Sequence, residues 1–362
     1  MSAAASAQGR GSTRRRVLRS PAARVVLPVL VVAAIFAGVL PRITDYAQAW
    51  TLVTGLHGTG LLLLAALATV NLVSYAPLWM AVLPGLGLWR ATLVEEASTA
   101  VANTIPVGFA FGLGTTATMY HSFGIPAGTI TRAVALTGLW NNVVKLGMPV
   151  VALAGLALTG QATRTLLLPA AVGVVVLLLA LSCLALVLTR RGAAAAVAAL
   201  GERIADRLAR LQHRPGPVGW VAAIERFRTD SLTLVRRRWP HLTAAAVGSH
   251  VALFVLLLAC TRLVDGAGAD VGWLRVLAVF SFTRLITMIP ITPGALGVAE
   301  LSYVAGLTAV GMDPSAAGAA VLVFRFLTWF LPIPCGALAW LLWRRIAGKP
   351  GVPDLRPIVS GR

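Results

Sequence analysis

The chain has little of what soluble catalysis draws on. Of its 362 residues 12 are acidic, 5 are histidine and 3 are cysteine, and charged residues of both signs make up 12%. A soluble domain carries about a quarter charged residues, so an ordinary cytosolic enzyme is excluded. Cys183, Cys260 and Cys335 stand singly in apolar segments, which leaves no disulfide framework and no CxxC metal site. His121 and His250 are isolated and no HxxxH or HExxH spacing occurs, so no metal or other cofactor is expected. Gly85-Leu86-Gly87 and Gly112-Leu113-Gly114 lack the following helix and lysine of a nucleotide loop. No recognisable Ser, His and Asp triad order is present.

Apolar length is what the chain has in abundance. Hydrophobic residues make up 58%, and mean hydropathy is +0.83. Runs such as residues 166–188 and 316–343 reach the roughly 20 residues needed to cross a bilayer core. The expected class is an all-α polytopic membrane protein. The net charge of +19 comes from 29 Arg and 2 Lys against 12 acids, and its distribution argues against nucleic acid as a partner. Six Arg and no acid lie in residues 1–24, eleven Arg and four acids lie in residues 190–240, and five basic residues follow Trp343. These are flanks of membrane spans, as the positive-inside rule requires.

Hydropathy and charge together predict spans over residues 24–40, 57–83, 129–158, 165–189, 241–263 and 316–343, with both termini cytoplasmic. The basic start, apolar run and Ala47-Gln48-Ala49 also imitate a cleavable signal peptide; cleavage would leave the downstream topology unchanged. Residues 89–126 must start and finish inside, as a hairpin broken at Asn103-Thr104-Ile105-Pro106-Val107-Gly108. Residues 271–313 must start and finish outside, as a hairpin broken at Ile289-Pro290-Ile291-Thr292-Pro293-Gly294. The expectation is about six full spans and two Pro/Gly-broken hairpins arranged as an inverted repeat. A basic tail (1–23) would precede a first repeat (24–160), a second repeat (161–345) containing a basic amphipathic loop (190–240), and a cytoplasmic tail (346–362). Pro106 to Pro149 covers 43 residues and Pro290 to Pro332 covers 42, and a Leu-Gly pair follows each Ile-Pro. Inverted repeats with matching broken segments point to a transporter-like site near the membrane centre.

Within the loop, Val197, Leu200, Ile204, Leu208 and Leu211 recur at helical spacing opposite Arg203, Arg207 and Arg210. Further on, Trp220, Phe227 and Trp239 alternate with Arg226, Arg228 and residues 236–238, a composition suited to an anionic lipid surface. Plain topogenic charge explains the same residues.

Three basic residues are left at membrane depth: Lys145, Arg284 and Arg325. Each costs about 2.5–3.5 kcal/mol at a helix centre, so each needs a reason. Arg325, Thr328, Trp329 and Pro332 fall at i, i+3, i+4 and i+7 and share one face of an ideal helix, which suits an anionic headgroup, because guanidinium forks phosphate. Arg284 has Ser281 and Thr287 one turn away and precedes the break at Pro290. Gly138, Asn141 and Lys145 share a face, with Asn142 beside them. Glu300 is the acid expected well inside the membrane, as partner to Arg325 or Arg284 or as an N-terminal carboxylate favoured by the helix dipole. Pro290, Pro293, Gly294 and Gly297 would open the backbone so that amides meet phosphate. Asn103 and Pro106 mark the corresponding place in the first repeat. For each cation the structural alternative is pairing with a carboxylate or carbonyl that holds helices together.

The stretch Ile289-Pro-Ile-Thr-Pro-Gly-Ala-Leu-Gly-Val-Ala-Glu300, followed by Gly311, Asp313-Pro314 and Phe324-Arg325-Phe326, resembles the lysylphosphatidylglycerol synthase transmembrane, or flippase-like, family. The family pattern is Pro-Gly-Gly-x-Gly-x-x-Glu, and Ala295 stands at its second glycine. Asn103-Thr-Ile-Pro106, Gly112-Leu-Gly114 and Thr137-Gly-Leu-Trp-Asn-Asn-Val-Val-Lys145 look like the version in actinobacterial members, although Thr115 and Thr116 follow Gly114 where Gly-Glu and Arg are commoner. The likeness covers about residues 25–345. It implies a membrane domain of the kind that moves lysyl-lipid between leaflets. The chain ends 17 residues after Arg345, so a stand-alone, non-enzymatic member is expected.

Three functions compete on this reading. The first is flippase-like translocation of an anionic or modified phospholipid or a polyprenyl-linked lipid. The second is an accessory anchor for a separate lipid-modifying synthase. The third is a polyprenyl-phosphate-dependent transferase, disfavoured because outward acids such as Asp45, Asp265 and Asp270 are scattered. Arginine-rich, Ala/Gly-rich composition indicates a GC-rich bacterial genome, and hence the bacterial plasma membrane.

Overall fold

Lipid offers no hydrogen bonds to a bare backbone, so a spanning chain must satisfy its own N–H and C=O groups, and the described residues form only helices and turns. The computed structural model describes residues 41, 45–105, 108–161, 220–264, 271–288 and 292–347, with scattered positions between 175 and 199. In chain order the helices are α1 (Tyr46–Thr54), α2 (Gly58–Ser74), α3 (Ala76–Val82), α4 (Leu88–Thr104), α5 (Gly108–Ser122), α6 (Ala127–Leu158), α7 (Trp220–Val264), α8 (Trp273–Ile286), α9 (Val298–Ala309), α10 (Pro314–Arg325) and α11 (Pro332–Ile346). A 3₁₀ turn, Pro293–Ala295, precedes α9, and a π turn, Phe326–Phe330, links α10 to α11.

Among the described residues four stretches are long and apolar enough to cross a membrane: Gly58–Val82, Ala127–Leu158, Thr229–Val264 and Pro314–Ile346. They coincide with four of the six spans expected from hydropathy. The other two, 24–40 and 165–189, lie outside the described residues except for scattered positions in the second, as do Pro106, Pro290 and the 197–211 stretch apart from its scattered positions. The two stretches expected as hairpins contain α4 with α5 and α8 with α9, each helix shorter than a full crossing; Val107 and residues 289–291 at the expected breaks lie outside the described residues.

One boundary differs from expectation. The second half of the basic loop is not a separate segment: α7 runs for 45 residues straight through Pro240. That is about 68 Å at 1.5 Å per residue, far more than a bilayer core of about 30 Å. Proline removes one N–H from the ladder, and here Arg236, Trp239 and Pro240 are exposed, so water can take up the orphaned carbonyl.

The chain forms two compact units, each drawn from both halves of the sequence. One contains the described residues up to Leu72, Leu93–Thr116 and Phe254–Trp343. In it α10 packs on α1 and α9, and α8 packs on α9. An aromatic row, Phe254, Phe280, Tyr303 and Phe324, has successive centroids 5.7, 6.4 and 5.5 Å apart. Asp313 caps α10 by accepting from the Ser315 and Ala316 amides at 2.9 Å, with Pro314 preset for the first turn.

The other unit contains Val73–Thr92, Ala117–Leu253 and the residues from Arg344 on. Its core holds Leu78, Leu83, Met119, Tyr120, Phe123 and Ile125, all fully buried. Trp79 meets Tyr120 at 5.2 Å, and the Arg90 guanidinium sits 5.2 Å over the Phe123 ring. Trp140 donates to Thr243 at 3.1 Å, and Arg132 pairs with Asp230 at 2.9 Å.

Candidate functional site

Residues 292–300 enter α9 through an irregular path. Thr292 donates its hydroxyl to the Leu296 carbonyl at 2.7 Å and accepts the Ala295 amide on its own carbonyl at 3.0 Å. The turn so closed puts Gly294, Ala295 and Gly297 at φ of 55°, 55° and 83°. Two of these positions suit glycine, whereas an L-residue in left-handed backbone is strained by about 1–2 kcal/mol. Ala295 therefore bears the strain that the usual second glycine would avoid.

Glu300 lies in the first turn of α9 with 3% of its side chain exposed. One carboxylate oxygen accepts the Gly297 amide at 2.5 Å, and the other accepts Arg325 Nε at 2.5 Å. The carboxylate thus caps its own helix, as the dipole favours, while neutralising a cation from another. Glycine has no side chain to return the second arm of a capping box. Arg325 also donates from Nη2 to the Gly294 carbonyl at 2.9 Å. Its side chain is 14% exposed, and among the described residues two of its five N–H donors are used, leaving three.

The chain beyond Arg325 departs from the single straight helix assumed above. Pro332 and Pro334 cannot donate to the carbonyls four residues back, and the helix widens into the π turn, in which the Leu331 amide donates to the Phe326 carbonyl at 2.8 Å. Arg325 and Trp329 still converge: the guanidinium holds the Gly294 carbonyl, and a Cβ added to Gly294 would fall on the Trp329 indole and 2.8 Å from Asn103 Oδ1. Trp329 Nε1 is buried without a hydrogen-bond partner among the described residues. Thr328 does not join them, because its hydroxyl donates to the Phe324 carbonyl at 2.8 Å.

Of the residues singled out from sequence, Asn103, Gly294, Gly297, Glu300 and Arg325 come together. Asn103 belongs to the first hairpin, yet its Nδ2 donates to the Trp329 carbonyl at 3.1 Å. Pro293 contributes backbone to the 3₁₀ turn. Arg284 is half-buried at the end of α8, and both it and Arg325 are within electrostatic range of the Tyr303 hydroxyl. Asn141, Asn142 and Lys145 lie on α6 in the other compact unit. One expectation needs correction. The Gly297 amide is occupied by Glu300, so it is not open to phosphate. Sequence reasoning also missed Glu96 on α4, a second buried acid that is 7% exposed. The sequence shows it only as one of two consecutive acids in a hairpin otherwise nearly free of charge.

Residues 25–336 match the family model of the lysylphosphatidylglycerol synthase TM region. Curated proteins gave no match. The matched span takes in all of the site, both broken hairpins and most of the candidate spans, and the model concerns the membrane region alone, with no catalytic domain recognised. This multi-pass chain belongs to the lysylphosphatidylglycerol synthase transmembrane-region family.

Proposed function

We propose that this is a flippase-like protein of the bacterial plasma membrane, with both termini cytoplasmic, that moves an anionic or modified phospholipid or a polyprenyl-linked lipid between leaflets. The two sequence halves act in this reading as an inverted repeat rocking around a polar path, and the protein works as a stand-alone transporter without catalysing a reaction. One observation carries it: among the described residues the Arg325 guanidinium, which hydropathy expects at membrane depth, keeps three N–H donors in hand beside an irregular backbone turn. An arginine needed only for structure has no use for a partly open edge, and irregular backbone at that depth is tolerated only inside protein or along a watery cavity.

The pair also sets the character of binding. Glu300 already cancels the charge of Arg325, so a phosphate reaches the guanidinium by its open edge and competes with the carboxylate. Such a site holds the headgroup weakly enough to release it.

A leaflet-exchange assay in proteoliposomes tests the reading, with labelled anionic, lysylated and neutral lipids and with wild-type and Arg325→Ala proteins. Headgroup-selective exchange that is lost in the variant is the expected result. Equal exchange by a well-folded Arg325→Ala protein, or none by wild type with any of these lipids, would sink it.

A further inference from the structure

The Arg325 cluster leaves the buried acid Glu96 unexplained. Glu96 is 7% exposed, and among the described residues its Oε2 has no hydrogen-bond partner and no basic residue pairs with it. The ionisable groups that face it are Glu95, next to it on α4, and Cys335 on α11. Neither supplies positive charge. A bare carboxylate without water, cation or full hydrogen bonding is among the costliest groups to bury, whereas a carboxylic acid is a modest one.

The backbone around Glu96 gives this group leverage. Glu96, Ala100 and Asn103 fall at i, i+4 and i+7, on one face of α4. A Cβ added to Gly336 of α11 would collide with the Glu96 carbonyl and with the Ala100 side chain. Two turns further along α4, Asn103 holds the Trp329 carbonyl. Residues 96–103 thus run antiparallel to residues 336–329 and touch them at both ends, within one compact unit. The latter segment begins one helical turn beyond Arg325, and its Trp329 covers Gly294.

We infer that Glu96 is a proton-binding site on the face that α4 presents to α11. With the proton bound, α4 lies against Gly336 and Asn103 keeps its hold on Trp329. Loss of the proton leaves a negative charge in this contact beside Glu95, and the contact loosens, releasing the segment that carries Trp329 and follows Arg325. Proton loading at Glu96 is then the event that couples to headgroup binding, and this last step alone rests on the transport reading above.

The proton is tested without lipid transport. Infrared difference spectra of the full chain in nanodiscs, taken between about pH 5 and about pH 9, are expected to show a carboxylic acid C=O band that titrates. The band is lost in Glu96→Gln and kept in Glu95→Gln. Glutamine copies the protonated acid in shape and charge, so this variant is expected to fold. A Glu96 carboxylate ionised across the whole range, or an unchanged band in Glu96→Gln, overturns the proposal. In the leaflet-exchange assay, Glu96→Gln is expected to lose the pH dependence of wild type and to run at the wild-type low-pH rate. Retention of the wild-type pH profile overturns the coupling. If wild type exchanges no lipid while the infrared band behaves as expected, the transport reading fails and the proton site stands.

Discussion

At the first broken hairpin, α4 and α5 fold back on each other through glycines, whereas at the second α8 and α9 are joined through a strained turn anchored by charge. A Cβ at Gly108 would strike the Ala102 backbone, and one at Gly112 would come within 2.9 Å of the Ser98 carbonyl. The first break is therefore a close-packing device. The second has left-handed backbone at three of four positions between Gly294 and Gly297, and its turn carbonyl and helix start are tied to Arg325 by Gly294 and Glu300. Similar sequence punctuation thus produces two different things, a tight helical turn and a polar site. Asn103 links them, since the first hairpin lends it to the second.

The largest effect should come from splitting the ion pair. Arg325→Ala leaves Glu300 buried and unpaired, which typically costs about 3–5 kcal/mol. Replacing both by apolar residues of similar size, Arg325→Met with Glu300→Leu, is expected to recover most of that loss. Unfolding midpoints in mixed micelles measure both. A wild-type midpoint for Arg325→Ala would erase the distinction drawn between the hairpins.

Next in size are two glycine substitutions that separate packing from binding. Gly108→Ala and Gly294→Ala should each destabilise by about 1–3 kcal/mol, by overpacking in the first case and by overpacking with backbone strain in the second. Only Gly294→Ala is expected to change headgroup selectivity in the exchange assay. A selectivity change in Gly108→Ala would mean that the first hairpin also handles substrate.

Asn103→Ala removes one side-chain hydrogen bond and should cost about 0.5–1.5 kcal/mol, with a loss of exchange rate larger than that stability change explains. A variant with unaltered exchange would reduce Asn103 to a packing residue. The smallest effect is a gain. Ala295→Gly relieves a φ of 55°, and after the entropy cost of glycine stability should rise by about 1 kcal/mol or less, read as a higher midpoint. A fall would show that the turn is not under the strain its backbone implies.

Much of the secondary structure was legible because it depends on neighbours along the chain. Four spans followed from hydropathy to within a few residues at most ends. The exception was the start of the 229–264 span, where Pro240 looked like a boundary and proved to sit inside a continuous helix. The partners of Glu300 were half legible. Its position three residues after Gly297 is a helix-start pattern, but the choice between Arg284 and Arg325 needed coordinates. The π turn was hidden, although Pro332 and Pro334 carry its cause. Glu96 was visible as an acid, but its burial was not, because nothing local shows that α11 offers a glycine at the facing position.

Composition and periodicity alone determined a helical membrane protein and the places of four apolar spans among the described residues, because a bilayer imposes those limits on each segment separately. The tertiary structure decided which donors meet which acceptors. The hydrogen bonds that bring the site's elements together join residues 25, 31 and 226 positions apart, and no local pattern encodes an encounter across such separations. Whether an arginine in the membrane ends as a spent structural cation or keeps an open edge for a ligand depends on those encounters.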